Sequence, residues 1–373
     1  MIYFDNAATT KYKPDEVYEA ANYYLKEIGV SPGRGSYSLG IEASRMLYKS
    51  RCSLGRYFGL TRPERVVFTK NSTEAINLFL NGFLQTGDHV IISCYEHNAV
   101  LRPIQNLKNQ GRIEYSVIKR EDLDLPSEEL FARYVQKNTR LLVTTLASNL
   151  TGRIVFREDL FKYFHEKEIV TFLDSSQGAG KIPLDMATQS IDFLAFTGHK
   201  DLLGIPGVGG LCCESKEKFI PLIQGGTGIH GEEYVNPDIF PEGYEAGTLN
   251  MPAIWALQAG VNYLGQHRQE IWQTEHMLIE LILDELGHFN DIVVYDPDVS
   301  RVSTCCFTLK DQSSDKTVAF LDKNGVCVRG GIHCAILAHQ AIGTVETGAV
   351  RISLGYRNSQ MEVDRFIKIL KER

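Results

Sequence analysis

At 373 residues the chain is longer than one ordinary domain core requires, so a large unit packed with a smaller one is expected. Hydrophobic residues at 43% and charged residues at 23% are the proportions of a globular protein and exclude a fibrous or disordered chain. A formal net charge of -7 argues against a nucleic-acid surface as the main business. An amino terminus with no basic-then-apolar pattern, and no run of about 18 apolar residues anywhere, argue against secretion and membrane spans, so a cytoplasmic location is expected.

In chain order, short apolar runs rich in β-branched residues predict strands at Arg65–Thr69, Val90–Ser93, Leu141–Leu146, Ile169–Asp174, Phe193–Phe196 and Gly207–Cys212, with helical stretches between them. Strands alternating with helices imply an α/β fold built on a mostly parallel sheet covered on both faces. Beyond Pro252 the pattern changes to helical stretches over Ile254–Leu264 and Glu270–Gly287. Strand-like runs follow at Asp291–Tyr295 and Arg301–Leu309, and a final amphipathic helix covers Met361–Lys371. A smaller α+β unit at the carboxyl end is therefore expected. The eight cysteines do not form a disulfide framework or a CxxC metal site; the adjacent pairs Cys212-Cys213 and Cys305-Cys306 lie in apolar runs and are expected in the core, as is Cys327.

Ligands of open α/β sheets bind beyond the carboxyl ends of the strands, so the residues that follow each strand are the ones to inspect. After Arg65–Thr69 come Ser72, Thr73 and Glu74 at a helix start, where two hydroxyls and free backbone N–H groups make either a phosphate cradle or a plain cap. After Ile169–Leu173 comes Asp174, either a turn carboxylate or an acceptor for a protonated heterocycle nitrogen. After Phe193–Phe196 come Thr197, Gly198, His199 and Lys200, then a glycine-rich stretch. A lysine so placed is poorly solvated and suited to forming an imine with an aldehyde. Cys334 follows Arg329-Gly330-Gly331-Ile332-His333, a setting that favours a reactive thiol in a loop, with Arg329 and His333 expected to stabilise the thiolate.

Taken together, the motifs resemble the class V aminotransferase-fold family, and within it the cysteine desulfurases and selenocysteine lyases, especially the SUF-type group. The residues that carry the likeness occur in the family's order. They are Asp5-Asn6-Ala7-Ala8-Thr9, Ser72-Thr73-Glu74, Glu96-His97-Asn98-Ala99, Ser148-Asn149, Asp174-Ser175-Ser176-Gln177, Thr197-Gly198-His199-Lys200, Glu245-Ala246-Gly247-Thr248, the Cys334 loop and Arg351-Ile352-Ser353-Leu354. The resemblance implies fold type I, with a large domain over 15–251 and a small one formed by 1–14 and 252–373. It also implies pyridoxal 5'-phosphate bound to Lys200, with Asp174 on the pyridinium nitrogen, Gln177 and Asn149 near the ring oxygen, and His97 against the ring face in a proton-transfer role. The phosphate would take Ser72, Thr73, Thr197 and His199, with Thr248 reaching in from the second subunit of a homodimer.

On the same resemblance Arg351 and Asn149 hold the substrate, Arg34 reaches the partner's site, and Cys334 removes sulfur from L-cysteine as a persulfide for an acceptor protein. No metal, nucleic acid or membrane is implied. Two positions depart from the family pattern: Ser176 stands where a small apolar residue is usual, and the segment Val30–Arg34 lacks a histidine before its arginine. Selenocysteine lyase, aminotransferase and epimerase chemistry remain alternatives on this scaffold, as does a non-enzymatic scaffold role. A short Cys334 loop, as in the SUF-type group, would shield the sulfur until an acceptor docks.

Overall fold

The computed structural model describes residues 1–33 and 35–373. Thirteen strands and ten α-helices occur in these residues. The first part of the chain carries β1 (Ile2–Tyr3), α1 (Asp15–Tyr23), α2 (Ser38–Tyr57), β2 (Val66–Thr69), α3 (Ser72–Phe83), β3 (Asp88–Ser93), α4 (Asn98–Asn109) and β4 (Ile113–Ile118). The middle adds α5 (Ser127–Tyr134), β5 (Thr139–Thr145), α6 (Glu158–Glu166), β6 (Val170–Asp174), β7 (Phe193–Thr197) and β8 (Gly209–Cys213). Then come α7 (Met251–Gly287), β9 (Ile292–Val294), β10 (Thr304–Leu309), α8 (Ser314–Lys323), β11 (Val326–Cys327), β12 (Arg329–Gly331), α9 (Ile336–Ile342), β13 (Ala349–Ser353) and α10 (Gln360–Lys371).

A seven-stranded sheet ordered β2-β8-β7-β6-β5-β3-β4 dominates the fold. Strands β7, β6, β5, β3 and β4 pair in parallel, whereas β8 is antiparallel to both of its neighbours, so β2 points the same way as β7. Six carboxyl ends therefore open on one edge of the sheet, where ligands of such sheets bind. Successive side chains alternate between the faces. On β7, Leu194 and Phe196 enter a core shared with α2, α6 and the first half of α7, while Phe193 and Ala195 enter a second core under α3 and α4. Strand β4, absent from the sequence expectation, is the sheet's edge. Its residues Glu114 and Tyr115 are exposed and half-buried, so its apolar run is broken.

A four-stranded antiparallel sheet, β12-β13-β10-β9, packs with α8, α10 and the second half of α7 around a third core. The amino terminus joins this layer: β1 pairs in parallel with β11, and Phe4 lies fully buried against Phe366. The two helices expected between Ile254 and Gly287 are one helix of 37 residues. Gly265 does not break it, because the helix continues between two cores, with Leu257 and Leu264 in one and Leu278, Ile282 and Leu286 in the other. No helix among the described residues is long and apolar enough to cross a membrane.

The face under α3 is an aromatic stack. Phe79 lies 4.2 Å from Phe193, 4.8 Å from Phe83 and 4.9 Å from Phe172, all ring centre to ring centre, and is fully buried. Phe79→Ala is expected to lower stability by about 3–5 kcal/mol, since the ring's contacts are lost and the strands beneath cannot collapse into the gap. Urea denaturation followed by fluorescence measures this, and an unchanged midpoint would contradict the packing described.

Candidate functional site

The carboxyl ends of β5, β6 and β7, with the loop before α3, enclose a cavity of about 260 Å³. Its walls bring together Ser72, Thr73, His97, Asn149, Asp174, Gln177, Thr197, His199 and Lys200, residues drawn from five separated stretches of sequence. Larger cavities exist, but neither of the two largest sets a lysine and an aspartate beside two histidines. Strand register explains part of the convergence, since Thr145 pairs with Asp174 and Asp174 with Ala195, two residues before Thr197.

Each wall residue is positioned locally. Asn71 caps α3 by accepting from the Glu74 N–H at 3.0 Å, so the hydroxyls of Ser72 and Thr73 are not needed as caps. Gly209 is required beside this turn: a Cβ there would lie 2.6 Å from the Asn71 carbonyl carbon. Asp174 is buried, and its Oδ1 accepts from the Ser176 N–H at 3.0 Å and from the Ser176 hydroxyl at 2.5 Å. The hydroxyl of the unusual Ser176 thus gives Asp174 a second donor that an apolar side chain would not supply. Gln177 donates its side-chain amide to the Ala7 carbonyl at 2.8 Å. His97 Nδ1 accepts from the Ala99 N–H at 3.0 Å, so its remaining proton sits on Nε2. Burial and the Lys200 charge pull the His97 imidazolium down to about 4, and the same two causes pull His199 to about 4. Both rings are therefore neutral near pH 7.

Lys200 is half-buried, and burial is the main cause that draws its ammonium down to about 8; Asp174 opposes this and Arg351 reinforces it. Two buried polar atoms of the wall, Thr197 Oγ1 and Asn149 Oδ1, have no hydrogen-bond partner. Such atoms are costly unless a ligand completes them.

The Cys334 loop is tied directly to this cavity. The Asn98 N–H, at the start of α4 beside His97, donates to the Cys334 carbonyl at 2.8 Å, and Asn149 Nδ2 donates to the His333 carbonyl at 2.8 Å. Cys334 is exposed in this chain and not shielded by its short loop as expected, while six of the other seven cysteines are buried and Cys327 is half-buried. His333 does not serve the thiol as a cation. Burial, with Arg351 adding to it, pulls its imidazolium down to about 3, and its Nε2 donates instead to the Arg329 carbonyl at 3.1 Å. Arg351, on β13 and 1% exposed, donates from Nη1 to the Asn149 carbonyl at 2.9 Å and from Nη2 to Asp5 Oδ1 at 2.5 Å, while its Nε stays unpaired.

Arg351 and Cys334 lie outside the cavity's lining but are tied to it through Asn149 and Asn98, whereas two further expected residues stand apart. Thr248 does not line the cavity but lies on a neighbouring surface pocket, where the segment around it is anchored by the buried Arg51–Glu245 pair, 2.7 and 2.9 Å. Arg34 lies outside the described residues. Asp5, Thr9 and Lys13 enter the surroundings of the site without having been singled out one by one. Asp5 holds Arg351, Thr9 holds His199 Nδ1 at 3.0 Å, and Lys13 Nζ donates to the His199 carbonyl at 2.6 Å. The first two belong to the amino-terminal motif; nothing in the spacing of Lys13 marks it.

A family model described as Aminotransferase class-V matches residues 2–366. The chain is similar, at 30% identity across all of its length and 94% of the relative, to a probable cysteine desulfurase of Methanothermobacter thermautotrophicus. It is also 28% identical to a cysteine desulfurase of Yersinia pestis, over 98% of this chain and 92% of that one. Among solved structures, the apo structure of a cysteine desulfurase from Thermococcus onnurineus matches with a TM-score of 0.88 at 29% identity, covering 100% of this chain and 94% of that one. A cysteine desulfurase from Escherichia coli in an S-sulfonic acid form matches with a TM-score of 0.88 at 25% identity, over 99% and 94%.

The lowered ammonium of Lys200 has a direct test. At pH 7 about one Lys200 side chain in ten is neutral, against about one in three thousand for an unperturbed lysine. In the ligand-free full chain, the rate at which an amine reagent modifies Lys200, followed by peptide mass spectrometry against pH, is expected to rise with a midpoint near 8. A midpoint above 10 would contradict the environment described.

Proposed function

Since the chain belongs to the aminotransferase class-V family, we propose that it is a pyridoxal-phosphate-dependent cysteine desulfurase that converts L-cysteine to L-alanine and keeps the sulfur as a persulfide on Cys334. The observation that carries this reading is the tie between the Lys200 cavity and the exposed Cys334 through Asn98 and Asn149.

The residues suit the cofactor. Lys200 offers an amine that is partly neutral near pH 7, Asp174 a buried carboxylate, and Thr197 an unpaired hydroxyl beside Ser72, Thr73 and the free N–H groups at the start of α3. Gln177 and Asn149 each keep one side-chain N–H for the ring oxygen. When bound, pyridoxal phosphate supplies the electron sink that makes the substrate Cα proton removable. The chain's own groups do the rest. The Lys200 amine stands ready as the base for that proton. His97, neutral with its proton on Nε2, offers a hydrogen bond from that atom and adds no charge to the resting site. Arg351, steadied by Asp5 and the Asn149 carbonyl, is the cation for the substrate carboxylate, and its Nε is still without a partner. The Cys334 thiolate forms an S–S bond to the substrate sulfur as the Cβ–S bond breaks and its electron pair passes to carbon, which is then protonated. Cysteine and one thiol give alanine and one persulfide, with no outside oxidant.

Further parts of the reading concern assembly and setting. The active unit is a homodimer in which Thr248 and Arg34 complete the partner's site; the position of Thr248 away from its own cavity supports this, as does the exposed apolar run through Ile220, Leu222, Ile223 and Val235. A large domain of 15–251 and a small one of 1–14 with 252–373 enclose the site, supported by the pairing of β1 with β11. The exposure of Cys334 suits delivery to an acceptor protein, and eight free cysteines suit the reducing cytoplasm.

Incubation with L-cysteine and a reductant is expected to release alanine and sulfide in equal amounts, and Cys334→Ala to cut both by at least about a hundredfold while visible absorbance of the cofactor is retained. Undiminished alanine and sulfide from Cys334→Ala would overturn the role of Cys334.

A further inference from the structure

Next to Lys200 in sequence is Asp201, whose carboxylate turns away from the cavity into a buried polar cluster. Lys181, in the turn after β6, places its ammonium there: it donates a hydrogen bond to Ser303 Oγ at 2.6 Å and forms ion pairs with Glu275 Oε2 at 2.9 Å and Asp201 Oδ1 at 3.1 Å. The Ser303 hydroxyl donates onward to Glu275 Oε2 at 2.6 Å, and Asp201 Oδ2 accepts from the Gly178 N–H at 2.6 Å. Lys181, Glu275 and Ser303 are 8%, 2% and 0% exposed, so the cluster is shut off from water. The turn that carries Lys181 also packs directly on the Asp201 carbonyl: a Cβ at Gly180 would collide with that oxygen. Glu275 belongs to α7, and Ser303 directly precedes β10.

Two carboxylates and one ammonium buried at one point are costly, and a buried network of this kind is worth keeping only when every member is satisfied. Here it is satisfied, and it fastens the residue after Lys200 to three other parts of the chain. We propose that Lys181 is a positioning residue for Lys200: with Glu275 and Ser303 it grips the Asp201 carboxylate, fixing the chain at Lys200 and keeping that carboxylate engaged away from the Lys200 amine. This rests on Lys200 being the functional amine.

The charged groups around both members set the sign of the test. Lys200 is faced by Asp174, Arg351 and Arg329, and it acts in turn on His97 and His199. Asp201 is faced by Lys181, Glu275, Lys13 and Tyr57 as well as by Lys200 itself. Burial opposes the charge on Lys181, but Asp201 and Glu275 more than offset it and hold the ammonium protonated. Burial pushes the Glu275 carboxyl up, and Lys181, 3.1 Å from Asp201 Oδ1, is the counterion paired with Asp201.

The experiment measures the pH midpoint of Lys200 modification in the ligand-free full chain, in three forms. Asp201→Asn removes an anion that favours the Lys200 ammonium and is expected to lower the midpoint by about one pH unit. Lys181→Met combined with Glu275→Gln leaves Asp201 without its cation and is expected to raise it by about one pH unit. Opposite shifts support the proposal; shifts of the same sign, or midpoints that stay within about 0.2 units of the parent, overturn it, since a merely structural role would alter thermal stability alone. Asp201→Asn is close in shape to the parent and reports even if the double variant folds poorly: a midpoint that fails to fall overturns the proposal by itself. The outcome is separate from the functional reading. A Lys200 that never carries the cofactor would defeat that reading while leaving these shifts intact, and unshifted midpoints with the cofactor on Lys200 would defeat only the positioning role.

Discussion

Everything in the site is arranged around one constraint: a lysine must stand just past strand β7, half-buried and, among the described residues, without an ion-pair partner on its own nitrogen. An ammonium in that position is disfavoured by burial. The chain keeps Lys200 there by holding its two neighbours instead. Lys13 grips the carbonyl of His199, and Lys181 grips the carboxylate of Asp201. The amine between them is left half-buried and partly neutral, the state in which it is a nucleophile and a base. Burial and the charge on Lys200 keep His97 and His199 uncharged, so the positive charge of the site rests on Lys200, still mostly protonated at pH 7, and on the Arg351 guanidinium.

The second element of the design is the short loop around Cys334. His333 and Cys334 both adopt positive φ, 54° and 56°, a conformation that side-chain-bearing residues enter at a cost of about 1 kcal/mol or more each. The loop holds that shape because Asn98 and Asn149 bind its two carbonyls and the buried His333 ring fastens to Arg329. The consequence is a thiol that is exposed yet fixed relative to the cavity. Asn149 links this loop to Arg351 as well, since its own carbonyl accepts from the guanidinium. One residue thereby couples the thiol loop, Arg351 and the cavity wall.

Much of this was legible in the sequence, and for identifiable reasons. The strands β2, β3, β5, β6, β7 and β8 are continuous buried runs, which periodicity reveals, and the site residues sit at their ends because that is where an α/β sheet opens. Strand β4 was missed because an edge strand alternates weakly, and α7 was divided in two because Gly265 reads as a break when the packing on either side is unknown. Contacts between distant residues left no local trace. The Arg351–Asp5 pair spans 346 positions and the Ser303–Lys181 bond 122, and no pattern of spacing announces either. His333 was expected to act as a cation because it adjoins Cys334, but chain adjacency says nothing of burial, and burial decides its charge. The effect of Ser176 was equally invisible until its hydroxyl was seen on Asp174.

The central claim is that Lys200 is the residue on which the chemistry is built. Reduction of the pyridoxal-phosphate-loaded full chain with borohydride, followed by proteolysis and mass spectrometry, tests it most directly. The account requires a single reduced adduct on the peptide that contains Lys200. An adduct on another lysine, or none in a chain that has taken up the cofactor, would contradict it.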